Sequence, residues 1–219
     1  MRDIAVFSGS AHPELAAELC AHLEVPLHPV RVSRFSTDCL EVQLQESCRE
    51  RDVFLVQPIV APVQENLVEL LLMLDAARGA SAARTTVVMP YFAYARSDKK
   101  DAPRISIGAR LVADLLATAG ANRVLAMAMH SPQVHGFFSV PVDHLHALHE
   151  LAAHFRRYDL GNAVVVSPAR RAGCATSQRR NGRFVTTPST SVSASAAPRR
   201  SIASGRVSPW ATSFAIIGS

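Results

Sequence analysis

The sequence predicts an α/β fold, in which a mostly parallel sheet is flanked by helices, followed by an irregular C-terminal tail. Between Ile4 and Val166, short apolar runs alternate with longer segments of helical periodicity. This alternation is typical of βαβ units, whose strands run parallel. After Pro168 the periodicity stops and Ser, Thr, Ala, Arg and Pro dominate. Such a composition is typical of segments that do not bury a core.

The strands are predicted from apolar or β-branched runs that are bounded by polar residues, Gly or Pro. In chain order they cover residues 4–7, 27–32, 40–44, 53–57, 85–89, 124–127 and 163–166. Only residues 213–217 in the tail show a comparable apolar run.

Four segments have the apolar spacing of amphipathic helices, and Pro or Gly marks several of their ends. They cover residues 13–23, 66–78, 105–119 and 145–158. Pro13 lies in the first turn of its helix, where a missing N–H is tolerated. Gly79 and Gly120 follow the second and third helices, as expected for residues that end helices.

The composition indicates one large domain or two small ones with a substantial core, since 48% of the 219 residues are hydrophobic. No apolar run reaches the roughly 18 residues of a membrane span. The start of the chain lacks the apolar region of a signal peptide. The four cysteines form no CxxC pair or zinc spacing, which favours reduced thiols. We therefore expect a cytoplasmic protein with no membrane segment.

The charge is distributed unevenly along the chain. Residues 1–168 carry 15 basic and 18 acidic side chains, whereas residues 169–219 carry eight arginines, no lysine and no acid. The arginines are compatible with a tail that binds nucleic acid. We favour a different hypothesis, in which residues 169–219 are disordered or translated out of frame, because acids and periodicity end at one point. Resequencing the gene tests whether the reading frame changes near residue 169.

Two loops contain side chains that are suited to an anionic ligand. His130 follows the apolar run 123–127, and ligands bind at the carboxyl ends of strands in parallel sheets. The segment 91–100 combines aromatic residues with Arg96 and Lys99 after another predicted strand. Arginine forks onto phosphate oxygens, which indicates a nucleotide, although an ordinary solvated basic loop has the same composition.

Five collinear segments of the chain match one family. They are Phe-Ser-Gly-Ser with Pro-Glu-Leu-Ala (7–16), Arg-Phe-Ser (34–36), Pro-Val-Gln-Glu-Asn-Leu-Val-Glu-Leu (62–70), Pro-Tyr-Phe-Ala-Tyr-Ala-Arg-Ser-Asp-Lys-Lys (90–100) and His-Ser-Pro-Gln-Val-His-Gly-Phe-Phe-Ser-Val-Pro-Val-Asp (130–143). Over residues 3–168 the chain thus resembles the ribose-phosphate pyrophosphokinases. The resemblance implies a phosphoribosyltransferase-like fold, with an amino-terminal domain at 1–145, the start of an incomplete second domain at 146–168, and the tail at 169–219.

The resemblance also implies a reaction and its participants. ATP and ribose 5-phosphate would give phosphoribosyl pyrophosphate and AMP for nucleotide synthesis, with Mg²⁺ as cofactor and a homo-oligomer as the assembly. The implied ATP-binding residues are Phe35, Asp38, Arg96, Ser97, Asp98 and Lys99. Phe35 would stack on the adenine bound by a neighbouring subunit. His130 would be the catalytic and metal-binding residue, close to the magnesium ion and the transferred pyrophosphoryl group.

The chain departs from the family pattern at positions that matter for catalysis. Two carboxylates expected around His130 are replaced by Ala128 and Ala169, and no acid occurs after Asp159. Asp38 and Ser97 also stand where the family has different residues. We therefore predict that these 219 residues are inactive. The alternatives are a non-catalytic module that pairs with full-length subunits and, least favoured, a nucleic-acid binder that uses the basic tail.

Several histidines cluster in the sequence and suggest a metal site. They are His135, His144, His146, His149 and His154. No cysteine or suitably spaced acid accompanies them, so surface histidines on an amphipathic helix are the favoured interpretation.

Overall fold

The computed structural model describes residues 3–127, 129–158, 175–180 and 183–188. Its strands are β1 (Ile4–Ser8), β2 (Leu27–His28), β3 (Val30–Arg34), β4 (Leu40–Leu44), β5 (Asp52–Val56), β6 (Arg84–Met89), β7 (Arg123–Met127), β8 (Val142–Leu145), β9 (Ala175–Arg180) and β10 (Arg183–Pro188). Its helices are α1 (Pro13–Leu23), α2 (Val63–Gly79), α3 (Gly108–Ala119) and α4 (Leu148–Phe155). The chain divides into two compact units, residues 1–150 and 151–219.

A six-stranded sheet in the order β2-β1-β5-β6-β7-β8 forms the centre of the first unit, and all its strand pairs are parallel. The predicted fold class is therefore confirmed. Because the strands are parallel, the loops that follow β1, β5, β6 and β7 all leave from one edge of the sheet. Ligands of open α/β sheets bind at this edge.

Alternate side chains of the strands enter two separate apolar clusters, because successive residues of a strand point to opposite faces. Phe7 and Leu55 pack with residues of α2 and α3, including Leu70 and Leu116. Val6 lies on the other face and packs with residues of α1. Helices thus cover both faces of the sheet, as parallel sheets require.

Buried polar side chains shape the turn that follows β1. Gln57, which is 0% exposed, accepts a hydrogen bond from the N–H of Ala11. Glu69, which is 3% exposed, accepts one from the N–H of Ser10 at 2.6 Å. These bonds satisfy backbone donors that would otherwise be left unpaired at the turn.

Strands β3 and β4 form a separate antiparallel hairpin that packs against α2. The Arg34 guanidinium, at the end of β3, pairs with Glu65 in the first turn of α2 at 2.8 Å. A cleft of about 460 Å³ lies between the hairpin and α2, and none of the predicted ATP-binding residues lines it. The cavity is therefore distinct from the loops in which the sequence placed the nucleotide.

The predicted strand 27–32 is two strands in the structure. Leu27–His28 pairs with β1, whereas Val30–Arg34 pairs with β4. Pro29 separates them, and a proline has no N–H with which to continue a sheet ladder. The continuous strand was a wrong prediction for this reason.

The ends of three helices also differ from the prediction. Helix α2 begins earlier, at Val63, and α3 begins later, at Gly108. The predicted helix 145–158 is wrong at its start, because Val142–Leu145 is the edge strand of the sheet and α4 begins only at Leu148. Local periodicity did not indicate that this segment would form a strand that pairs with β7.

The second unit contains an antiparallel hairpin made of β9 and β10. The sequence predicted no strand in this part of the tail. The predicted strand 163–166, the apolar run 213–217 and the remaining tail lie outside the described residues. Within the described ranges, no helix has both the length and the apolar character needed to cross a membrane.

Candidate functional site

Two loops meet at the carboxyl edge of the sheet, one after β6 and one after β7. The first contains a short 3₁₀ helix, Ala93–Arg96. It is anchored where the Tyr91 carbonyl accepts a hydrogen bond from the N–H of Ile59, at 2.8 Å. Phe92 is buried and meets Phe138 edge-on, with ring centroids 6.1 Å apart. Apolar packing thus joins the segment 90–100 to the segment that contains His130.

A polar contact joins the same two loops. The Ser131 hydroxyl donates a hydrogen bond of 2.7 Å to Oδ2 of Asp98, which lies 33 residues earlier in the chain. This bond is the main reason why the pKa of Asp98 is below its ordinary value, and the charges of His130 and Lys99 act in the same direction. Asp98 is therefore an ionised carboxylate beside His130.

His130 is exposed on the loop that follows β7. The preceding residue, Met129, donates its backbone N–H to Nε2 of His144 at 2.9 Å. Since Nε2 accepts this bond, the neutral His144 ring carries its proton on Nδ1. Partial burial lowers the pKa of His144, and the neighbouring His146 and His135 add to the effect. The neutral form, which can accept the bond, is thus favoured.

Ser97 connects the first loop to the start of α3. Its hydroxyl accepts a hydrogen bond from the N–H of Gly108 at 2.9 Å, and its carbonyl accepts one from Ala109 at 3.1 Å. These bonds satisfy two of the N–H groups that a helix leaves unpaired at its first turn. A Cβ on residue 108 would approach the Tyr94 ring to 2.9 Å, so the close contact requires glycine. In this structure Ser97 helps to position α3.

Arg96 and Lys99 supply positive charge at the exposed surface of the loop. Arg96 ends the 3₁₀ helix, and Lys99 forms an ion pair with Asp101 at 3.3 Å. Arginine and lysine at a strand end are suited to bind phosphate oxygens. These two side chains can neutralise part of the charge of an anionic ligand at this edge of the sheet, beside His130.

Phe35 and Asp38 lie elsewhere, in the turn between β3 and β4. The Phe35 side chain is 54% exposed. Asp38 adopts a left-handed conformation with φ of 68°, and its carboxylate pairs with Arg34 at 2.6 Å. The turn therefore presents an aromatic ring to solvent on a hairpin that is anchored to α2.

The chain is similar to one known protein family over much of the first unit. The N-terminal domain of ribose phosphate pyrophosphokinase, as a family profile, matches residues 4–120. The chain belongs to the ribose-phosphate pyrophosphokinase family. The resemblance expected from the five segments is thereby confirmed.

Curated relatives in this family match the chain with high identity. A Streptomyces coelicolor protein assigned to the family by name is 80% identical over 168 residues, which are 77% of this chain and 53% of the relative. The ribose-phosphate pyrophosphokinase of Deinococcus radiodurans is 56% identical over 165 residues, or 74% of this chain and 52% of the relative. The chain thus spans about half the length of the curated relatives it matches.

A solved structure supports the same assignment. The crystal structure of phosphoribosylpyrophosphate synthetase from Mycobacterium smegmatis aligns with a TM-score of 0.70 and 40% identity. The alignment covers 72% of this chain and 53% of the other. The sheet and its flanking helices therefore have the same fold as the matched part of that structure.

Among the residues that the structure describes, those around His130 do not form a magnesium site by themselves. Mg²⁺ prefers oxygen ligands in octahedral geometry, whereas His130 offers nitrogen. Oδ1 of Asp98 is buried and has no hydrogen-bond partner, but Oδ2 is engaged with Ser131. In the described part of the chain, no group of three or more His, Cys, Asp or Glu side chains is arranged to hold a metal.

The structure distributes the predicted residues of this pyrophosphokinase domain over two places. Arg96, Ser97, Asp98 and Lys99 follow one another in a loop that Ser131 joins to His130. Phe35 and Asp38 share a hairpin turn. The histidines predicted to lie on a helix are also divided, because His135 precedes β8 and His144 belongs to it.

Ser131 and His144 belong to this site, although the sequence pattern predicts neither of them there. Ser131 directly follows His130, so its position was a usable signal. The sequence pattern predicts His144 only as a surface histidine. Its contact with Met129 depends on the pairing of β7 with β8, which the sequence pattern did not predict.

Proposed function

We propose that this chain provides the nucleotide-binding half of a ribose-phosphate pyrophosphokinase. In the proposed reaction, ATP transfers its pyrophosphoryl group to ribose 5-phosphate, which yields phosphoribosyl pyrophosphate and AMP in the cytoplasm. The observation that carries the proposal is the Ser131–Asp98 hydrogen bond at the carboxyl edge of the sheet. It joins the loop of residues 90–100, called the basic loop, to the loop after β7 that contains His130, called the His130 loop. Family membership supports the choice of reaction.

The residues would act by positioning and by charge neutralisation, as is usual in phosphoryl-type transfer. Arg96 and Lys99 would contact the phosphates of ATP, with Asp98 and Ser97 shaping the loop between them. Mg²⁺ would arrive with the ATP phosphates, since it commonly binds through substrate oxygens and few protein ligands. His130 would lie beside the transferred pyrophosphoryl group.

Mg·ATP binding by the purified chain tests the nucleotide site. Isothermal titration calorimetry should show binding that Arg96→Ala weakens about tenfold or more, because a hydrogen bond to a charged group is lost. Arg110→Ala is the matched control, since Arg110 is an exposed arginine that pairs with Asp114 on α3. Equal loss in both variants, or no binding by the unmodified chain, would refute the proposed site.

We further propose that the 219 residues alone do not catalyse the reaction. Ala128 and Ala169 replace two carboxylates expected near the metal, and no acid is present beyond Asp159 to bind ribose hydroxyls. Formation of phosphoribosyl pyrophosphate should therefore not exceed that of a His130→Ala control. Clear turnover above the control would contradict this expectation.

A second candidate function is a non-catalytic module that assembles with full-length subunits. The exposed Phe35 ring, on an anchored hairpin, favours it because an exposed aromatic ring is suited to an interface or to stacking on a base. Under this hypothesis Phe35 and Asp38 would contact the adenine held by a neighbouring homologous subunit. Co-purification with an intact homologue tests the hypothesis, and strictly monomeric behaviour of the mixture would count against it.

A further inference from the structure

His130 is an exposed residue on a loop, yet both neighbouring residues are hydrogen-bonded to other elements, and each of these two contacts is called a tie below. A group that acts on a bound ligand must be held close to its productive geometry by the residues around it. The contacts of Met129 and Ser131 therefore determine how closely His130 is held in one position.

The first tie runs from Ser131 to the basic loop after β6. Its hydroxyl donates to the Asp98 carboxylate at 2.7 Å. Hydrogen bonds to ionised groups are stronger than those between neutral groups. Asp98 lies between Ser97, which is bonded to the start of α3, and Lys99. The tie thus links the His130 loop to the basic loop, which is itself bonded to the start of α3.

The second tie runs from Met129 to the edge strand of the sheet. Nε2 of His144 accepts the Met129 N–H at 2.9 Å, and His144 pairs with Ala126 in the ladder between β7 and β8. Met129 is buried, so its N–H would carry a desolvation cost without this acceptor. The two ties hold the backbone immediately before and after His130.

We propose that Ser131 and His144 are positioning residues that hold His130 beside the basic loop, with Asp98 as the anchor for Ser131. The identity of the ligand rests on the proposed function, whereas the positioning itself does not. The two loops would then move as one unit, so that His130 keeps its place relative to Arg96 and Lys99.

Relaxation of backbone ¹⁵N nuclei in the full chain measures the positioning without any ligand. The His130 amide should have an order parameter of about 0.85, which is typical of rigid backbone, and Ser131→Ala should lower it below about 0.6. Ser131→Thr keeps the hydroxyl and should restore the higher value. Ser139→Ala is the control, because Ser139 is exposed in the same segment. An unchanged order parameter in Ser131→Ala would overturn the role of Ser131.

The second tie is tested by a pair of variants at one position. His144→Leu removes the acceptor and should lower the His130 order parameter, whereas His144→Gln retains an acceptor and should preserve more of it. Equal values in the two variants would contradict the role of His144. Asp98→Ala completes the test, since Ser131→Ala should have no further effect in that background. An additional decrease there would show that Asp98 is not the anchor.

Mg·ATP titrations separate this inference from the proposed function. If the unmodified chain binds Mg·ATP, Ser131→Ala should weaken binding about tenfold, because binding must then order a loop that is already held in place in the unmodified chain, and Ser131→Thr should restore it. Equal affinity in Ser131→Ala would overturn the link between positioning and the nucleotide. If the unmodified chain does not bind Mg·ATP, the proposed function fails, and the order parameters still decide whether Ser131 and His144 position His130.

Discussion

Gly9 allows the turn after β1 to lie directly on the buried amide of Gln57. A Cβ at this position would approach Oε1 of Gln57 to 2.2 Å, which is shorter than any van der Waals contact. Gln57 has little freedom to move, because it is 0% exposed and is hydrogen-bonded to Ala11. The shape of this part of the carboxyl edge therefore depends on the absence of one side chain.

Gly9→Ala should lower the free energy of unfolding by about 1–3 kcal/mol, which is the usual cost of overpacking a buried position. Urea denaturation followed by circular dichroism measures it. Gly79→Ala is the control, because a Cβ there meets no atom within 4 Å at the end of α2. The control should be neutral or slightly stabilising, since alanine is the better helix former. Equal destabilisation of both variants would argue against the close contact with Gln57.

His144 makes the stability of the domain depend on pH. Its pKa in the folded protein lies below the ordinary histidine value of about 6.5, chiefly through burial, and His146 and His135 face it. The unfolded chain therefore binds the proton more readily, and folding stability rises with pH through this window. Stability from this group is present above about pH 6.5 and is lost as the pH falls toward the lower folded pKa.

The comparison of the unmodified chain with His144→Gln isolates this contribution. Above about pH 7.5 the difference in their unfolding free energies should be constant, because the ordinary histidine pKa is about 6.5 and His144 is then largely neutral in both the folded and unfolded states. Below that range the unmodified chain should lose stability faster than the variant. Urea titrations at a series of pH values provide the measurement, and parallel curves throughout would contradict the lowered pKa.

Helix α2 is the element that connects the sheet to the hairpin. Leu70 is 0% exposed and belongs to the main apolar cluster. At its N-terminal end, Glu65 pairs with Arg34 on β3. Exposed ion pairs contribute little to stability, so the pair orients the hairpin while apolar packing supplies the free energy.

Leu70→Ala should lower the free energy of unfolding by about 2–5 kcal/mol, because it removes buried methyl groups and leaves a cavity. Val68→Ala on the same helix is the control, since Val68 is 46% exposed and should change stability by less than about 0.5 kcal/mol. Chemical denaturation of both variants gives the two values. Similar values would mean that α2 does not pack on the sheet as described.

The six-stranded sheet and both apolar clusters lie within residues 3–145. Tolerance to truncation depends on the burial and bonding of the backbone that is removed. The eight arginines after residue 168 also account for the positive net charge, since residues 1–168 carry more acids than bases. The first unit therefore contains the elements needed for an independent core.

A chain that ends after Tyr158 should unfold cooperatively, with a free energy within about 0.5 kcal/mol of the full chain, because it keeps the six-stranded sheet and both apolar clusters. A chain that ends after Ala119 is the control, because it lacks β7 and its fully buried Val124. It should show no cooperative transition in urea. A large loss of stability in the chain that ends after Tyr158 would show that residues after 158 contribute to the stability of the first unit.

The fold class, the order of most strands and helices, and the family all follow from the amino-acid sequence alone. Apolar periodicity is a local property, and it marked α1 and β4 at their observed ends. The position of His130 after β7 also followed from the sequence, because a buried apolar run must end before a polar loop. Chain order and residue type were sufficient for these conclusions.

The contacts between side chains that are distant in the chain are visible only in the folded structure. Ser131 reaches Asp98 and His144 reaches Met129 because β6, β7 and β8 are neighbours in one parallel sheet. Ser97, predicted as a nucleotide contact, is also bonded to the start of α3. Such contacts join residues that are distant in the chain, and their geometry depends on strand pairing and helix packing that no local pattern specifies.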